Sequence, residues 1–182
     1  MAHLILFDNE TREHLLPLTY TRPVADLRIG ILTIREKWEQ VMGYPASFLT
    51  QDYLTEKFEM NYGEENYLIN GSLLPTSQMV RLIQQLDFSE AILLEGELLA
   101  TKLTGKQIEK LIKDEDFGDL SGLEAADTEI LKLRGVYDLF HLNEAALEAD
   151  FDLITKGRTS EPLSDTNRLI GPSNRLFIEP GA

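Results

Sequence analysis

Short unbroken apolar runs alternate along this chain with stretches whose apolar residues recur at helical spacing. The first run, His3-Leu4-Ile5-Leu6-Phe7-Asp8, predicts a buried strand over residues 2–7, central in a parallel sheet. A strand covered on both faces needs no polar alternation. Ser47-Phe48-Leu49, Tyr67-Leu68-Ile69-Asn70-Gly71 and Ala91-Ile92-Leu93-Leu94 predict further strands, with Leu98 to Leu103 a hairpin partner across Glu95-Gly96-Glu97. Glu129 to Leu133 is strand-like. Thr33-Ile34-Arg35-Glu36 has capping-box spacing and Gly43 is a stop, which predicts a helix over Ile34 to Met42 with Trp38 in the core. Met79, Leu82, Ile83 and Leu86 share one face of a helix predicted over 75–86. Thr104-Gly105-Lys106-Gln107 is a second capping box, opening a helix that carries Ile108, Leu111 and Ile112. Tyr137 to Thr155 reads as a helix with Leu139, Phe140, Leu147, Phe151 and Ile154 as its apolar positions, closed by Gly157. A helical turn is expected near 52–58 and an exposed acidic loop over 114–127. This order predicts an α/β fold with a mostly parallel sheet flanked by helices.

A chain of 182 residues, 43% hydrophobic and 26% charged, fits one globular domain with a tail. With no cysteine, disulfides and thiolate metal sites are impossible. The start Met-Ala-His-Leu has no basic region and long apolar core, so no signal peptide is expected, and no apolar run approaches the ~18 residues of a membrane span. A soluble cytoplasmic protein is expected. The net charge of -14 argues against nucleic acid and anionic membrane as partners. Within the first thirty residues, however, Arg12, Arg22 and Arg28 nearly balance Asp8, Glu10, Glu13 and Asp26.

That balance falls on the segment after the first strand. Asn9-Glu10-Thr11-Arg12 and Leu15-Leu16-Pro17-Leu18-Thr19-Tyr20-Thr21-Arg22-Pro23 show no helical apolar period and hold two prolines and two arginines. In an open α/β sheet, the loop leaving the carboxyl end of a strand is where ligands sit. Arginine there suits phosphate, because its planar fork gives paired charge-assisted hydrogen bonds.

Thr11-Arg12, then Pro17-Leu18-Thr19, then Arg22-Pro23 resembles the nucleotide-binding loop of sugar-1-phosphate nucleotidyltransferases, which runs Gly-x-Gly-Thr-Arg, Pro-Leu-Thr, Pro-Lys. More closely, the chain resembles a bacterial branch of the bifunctional UDP-N-acetylglucosamine pyrophosphorylase/glucosamine-1-phosphate acetyltransferase family. Residues 25–33, Leu68-Ile69-Asn70-Gly71-Ser72 and Tyr137-Asp138-Leu139-Phe140 leading to Asn143 carry the rest of the match. The resemblance implies a Rossmann-like domain over 1–157 that joins a nucleoside triphosphate, UTP above all, to N-acetylglucosamine or glucose 1-phosphate, with Mg²⁺ and release of pyrophosphate. It implies a linker over 158–168. Leu169-Ile170-Gly171-Pro172 and residues 177–182 then resemble the start of a left-handed β-helix of hexapeptide repeats. One turn cannot bury a solenoid core, so the chain is expected to be the N-terminal part of a longer protein that trimerises through that β-helix.

By the resemblance, Arg12 meets the triphosphate, and Asn9, Thr11, Thr19, Asp26, Asn70, Gly71 and Ser72 fall on nucleotide- or substrate-binding positions. The departures are chemical. Asp8-Asn9-Glu10 stand where the family has glycines that admit phosphate to bare backbone. Pro23-Val24 replaces Pro-Lys, leaving Arg22 as the substitute cation. Gly71-Ser72 replaces a metal-binding Gly-Asp, and serine offers Mg²⁺ no anionic oxygen; Asp8 and Asp26 are the substitute candidates, and the Asn70 amide is available to a base or sugar. His3, His14 and His141 have no metal-ligand spacing, and only His14 falls in the expected site. Two readings follow. Arg12 and Arg22 stabilise charge in nucleotidyl transfer; or the domain is catalytically degenerate, binding a sugar nucleotide or serving assembly beside a hexapeptide-repeat acyltransferase.

Overall fold

The apolar run at the start of the chain is covered on both faces. In the computed structural model, which describes residues 2–114, 119–125 and 128–182, strand β1 (Ala2–Phe7) lies between two layers of helices. Leu4 and Leu6 join the larger core, with Ile34, Trp38 and Met42 of helix α2 (Ile34–Met42) and Met79 and Ile83 of α3 (Ser77–Gln84). Ile5 and Phe7 point the other way, to Ile108 and Leu111 of α4 (Gly105–Asp114). The alternation is present but invisible as polarity, because both faces are dry.

Around β1 the described residues form a six-stranded sheet in the order β2-β1-β3-β5-β4-β6. Here β2 is Ala46–Leu49, β3 Glu65–Asn70, β4 Glu90–Leu94, β5 Glu97–Thr104 and β6 Ser121–Glu124. Strands β2 and β3 run parallel to β1, and β6 runs parallel to β4. Only β5 is reversed, pairing antiparallel with β3 and β4, so the sheet is mostly parallel. The tight β4–β5 turn is made by Glu95 and Gly96, both at positive φ (51° and 83°). It places Glu97, the first residue of β5, at the carboxyl edge of β3, because Ile69 pairs with Ala100.

The capping boxes form as their spacing predicts. Thr33 accepts from the Glu36 amide while Glu36 accepts from the Thr33 amide, and Gly43 ends α2 in the left-handed region at φ 76°. Thr104 and Gln107 repeat the exchange at α4. The indole N–H of fully buried Trp38 donates to the Leu73 carbonyl at 2.7 Å.

Several elements differ from expectation. A single helical turn, α1 (Thr11–His14), follows β1 where the lack of apolar period predicted loop. The acidic loop contains β6, whose amides and carbonyls find partners on β4, although its burial pattern is exposed throughout; residues 115–118 and 126–127 of that loop lie outside the described residues. Residues 129–133 are not a full strand but make one antiparallel bridge, Leu73 to Lys132. The helix expected over 137–155 breaks at Leu142 into α5 (Asp138–His141) and α6 (Asn143–Thr155), and Gly157 follows α6 at φ 72°. The β-helix turn expected over 169–182 is not formed. That segment holds a 3₁₀ turn at Ser173–Arg175 and no strand, and Ile170 is 90% exposed. The tail is tied to itself and to α6 by Glu161–Ile178 and Ser160–Ile178 hydrogen bonds and by Arg175–Glu148.

Candidate active site

A cleft of about 680 Å³ opens at the carboxyl edge of β1, where a parallel sheet presents ligands to its loops. Asn9, Glu10, Thr11 and His14 line it from the β1–α1 segment, and Leu94, Glu95, Gly96 and Glu97 from the β4–β5 hairpin. Lys132 and Arg134 complete it. Hydrogen bonds from the Leu74 amide to the Leu131 carbonyl and from the Leu133 amide to the Ser72 carbonyl bring the 131–133 segment alongside the chain leaving β3.

Glu97 gathers the polar groups of this edge. Its Oε1 accepts from Asn9 Nδ2 at 2.6 Å, from Asn70 Nδ2 at 3.1 Å and from the Lys132 ammonium. Asn70 is saturated: its amide also donates to the Leu98 carbonyl, and its oxygen accepts from the Ser72 amide and hydroxyl. Asn9 turns its oxygen to the Thr11 amide. Gly71 stands under the loop that leaves α1. A Cβ there would lie 3.2 Å from both the Ala25 nitrogen and the Phe7 oxygen, so a side chain at this position would require the loop or β1 backbone to give by a few tenths of an ångström.

Beneath the cleft, Asp8 and Arg12 organise the loop. Arg12 is 3% exposed. Its guanidinium donates to Asp8 Oδ2 at 3.2 Å, to the Arg22 carbonyl at 3.1 Å, to Tyr53 Oη at 2.6 Å and to the Thr19 carbonyl. It also lies 5.9 Å from the Tyr53 ring centroid. Thr19 returns a hydroxyl to the Arg12 carbonyl at 3.0 Å. Asp8 receives the Val24 amide at 2.9 Å on one oxygen, and the Thr50 hydroxyl at 2.6 Å together with Arg12 on the other.

Of the candidate site residues, Asn9 and Thr11 line the cleft, as does His14, the histidine expected in the site. Asp8, Arg12, Thr19, Asn70, Gly71 and Ser72 lie behind them in the framework. Arg22 is exposed outside the cleft lining and supplies its carbonyl rather than its charge to the loop. Asp26 pairs with Arg35 at 3.1 Å. The residues that the sequence offered to magnesium do not fit it. Asp8 has both oxygens occupied by protein donors in a buried setting, Asp26 is paired with Arg35, and Ser72 is neutral. Glu97 and Lys132 were not anticipated. The signal was faint, since the two stand far apart in the chain and each reads as an ordinary surface charge.

Burial pushes the Asp8 carboxyl above the ordinary aspartate range, against the Thr50 hydroxyl, the Val24 amide and Arg12, which pull it down. A group that holds its proton more tightly folded than unfolded adds stability as pH falls through its folded midpoint. An NMR titration is expected to place the Asp8 midpoint above that of an unfolded aspartate. A midpoint at or below that value would mean that the three donors outweigh burial.

Comparison with known proteins gives the family of the chain. No helix among the described residues is long and apolar enough to cross a membrane. A search of curated proteins finds no match. Among solved structures, one described as a glucose-1-phosphate thymidylyltransferase from Bacillus anthracis, with sucrose bound, is 12% identical; the match covers 81% of this chain and 96% of that one at a TM-score of 0.49. The CTP:phosphocholine cytidylyltransferase of Streptococcus pneumoniae is 14% identical, over 79% of this chain and 98% of that one, at 0.44. Residues 4–159 match the family described as sugar nucleotidyl transferase, which takes in both the Thr11-Arg12 loop and the Glu97–Lys132 cluster, and the chain belongs to that family.

Proposed function

We propose that this protein transfers a nucleotidyl group from a nucleoside triphosphate, UTP in the first place, to a sugar 1-phosphate, either N-acetylglucosamine or glucose 1-phosphate, in the cytoplasm. The observation that carries the reading is the polar cleft at the carboxyl edge of β1, lined by Asn9 and Thr11 of the loop that resembles the family's nucleotide-binding segment. The reaction asks little covalent chemistry of the protein. An oxygen of the sugar phosphate attacks the α-phosphorus, the bond from that phosphorus to the bridging oxygen breaks, and pyrophosphate leaves with the electron pair. The chain must align the two phosphates and offset their charge. The Asp8–Arg12–Thr19 framework supports this by fixing the loop. The assignment of Arg12 is thus to organising the site rather than to contacting substrate.

A second reading, sugar-nucleotide binding without turnover, is favoured by the commitment of Asp8 and Arg12 to that framework. The two separate in one assay: pyrophosphate release with Mg²⁺ present, using UTP and dTTP against both sugar phosphates. Turnover with any pair is the expected result and identifies the substrates. Absence of turnover together with tight binding of a UDP-sugar would install the second reading.

A further inference from the structure

We infer that Lys132, set in place by Glu97, is the cation that receives a substrate phosphate in this cleft. The inference rests on the reading of the cleft as a nucleotidyl-transfer site and names the residue that the loop does not provide. A phosphate needs a charged donor at its subsite. Arg12 cannot serve, being turned into its own loop with four oxygen partners, and Arg22 is outside the lining. The cations that line the cleft are Lys132 and Arg134.

Lys132 is built into the site. Its side chain is 4% exposed, and the bridge to Leu73 holds its backbone to the chain leaving β3. An ammonium carries three donors. Among the described residues its protein partner is Glu97 alone, which takes one of them. Among the described residues the other two N–H groups meet no protein acceptor and face the cleft, and burying charged donors without partners is costly. Two phosphate oxygens would complete the set. Glu97 is the positioning residue. Asn9 from the β1–α1 segment and Asn70 from the end of β3 fix its carboxylate, and the Glu95-Gly96 turn fixes its backbone. The ammonium is therefore held by three rigid elements. In the transfer step Lys132 shares its N–H groups with phosphoryl oxygens while the new bond to the α-phosphorus forms and pyrophosphate departs.

The test is calorimetric binding of pyrophosphate to the full chain, with thermal melts to check folding. The wild type is expected to bind. Lys132→Met is expected to weaken binding about 10- to 100-fold, in line with loss of a charge-assisted contact, and Lys132→Arg to restore most of it. Glu97→Gln keeps an acceptor for all three donors and removes the counter-charge, so it should tighten binding several-fold; a merely structural residue would weaken it. If Lys132→Met fails to fold, the double substitution Lys132→Met with Glu97→Gln leaves no unpaired charge and is measured instead. Labelling the wild-type lysines with ¹³C at Cε reads the same contact without substitution or modification, as a pyrophosphate-dependent shift of the Lys132 signal. No binding by the wild type, equal binding after Lys132→Met, or an unmoved Lys132 signal would overturn the inference, and unchanged or weaker binding by Glu97→Gln would overturn the part given to Glu97. Turnover with unaltered pyrophosphate binding in Lys132→Met would leave the nucleotidyltransferase reading standing without it. Loss of binding in a chain that turns over none of the substrates would do the reverse.

Discussion

Asp150→Ala is expected to lower stability by about 3–5 kcal/mol, a large share of the roughly 5–15 kcal/mol that holds a domain of this kind together. Asp150 sits on α6 and is 1% exposed. It accepts the Lys37 ammonium of α2 on both oxygens, and the Ile31 and Leu32 amides at 2.8 and 3.0 Å on one of them. Asn143, earlier on the same helix, accepts the Gly30 amide at 2.9 Å. Gly30 adopts φ +75°, and a Cβ there would meet Asp150 at 2.6 Å and the Ala146 backbone at 2.8 Å. Helix α6 is thus fastened onto the segment that feeds the α2 capping box. Burial pulls the Lys37 ammonium below the ordinary lysine range, and its pairing with Asp150 pulls it back. Alanine would leave that ammonium in the core without its counter-charge and two amides without acceptors, and removing one partner of a buried pair costs more than removing both. K37M/D150N should therefore recover a substantial part of the loss, since the asparagine oxygen still accepts the amides. Chemical denaturation checks both, as a shift in midpoint at constant slope. A shift under 1 kcal/mol for Asp150→Ala would mean that water reaches this pair.

How much of this was readable beforehand differs from element to element. Local signals survived into the structure: the Thr33/Glu36 and Thr104/Gln107 boxes, the Gly43 stop and the Glu95-Gly96 turn act over four residues or fewer, and nothing distant competes with them. Strand order was not readable, because inserting reversed β5 between β3 and β4 is decided by long-range pairing. Helix α6 misled in a specific way. Its Leu147, and Phe140 of α5 before it, were among the apolar positions of the single predicted helix, yet these are 41% and 76% exposed, while the charged Asp150 is inside. Hydrophobic patterning cannot reveal a carboxylate whose partners are Lys37 and two loop amides more than a hundred residues away. The candidate site failed in the same manner. Asn9 and Thr11 were found because the loop motif is contiguous, whereas the Glu97–Lys132 pair joins residues 35 apart in sequence. Arg12 and Asp8 were recognised as special residues, but composition does not say whether an arginine faces outward to phosphate or inward to its own loop.

That ambiguity yields the second large effect. Arg12→Met is expected to lower stability by about 3–5 kcal/mol and to abolish turnover together with it. The guanidinium gathers the Thr19 and Arg22 carbonyls, Tyr53 and Asp8 into one knot that fixes the whole segment from α1 to Val24. Without it, Asp8 keeps a buried carboxylate that burial already pushes toward its neutral form, and two carbonyls lose their charged donor. Lysine cannot replace the fork, because a single ammonium does not reach four divergent acceptors in one plane. Arg22→Ala is the comparator: its side chain is exposed, so its stability should stay within about 0.5 kcal/mol of wild type. Measuring denaturation midpoints and pyrophosphate release on the same preparations separates two kinds of arginine. A substrate-contacting Arg12 would lose turnover at an unchanged midpoint, whereas a loop-organising Arg12 loses both. The double substitution R12M/D8N sharpens the distinction, since removing the orphaned carboxylate should recover stability without recovering turnover, the loop then being folded but no longer drawn together beneath Asn9 and Thr11.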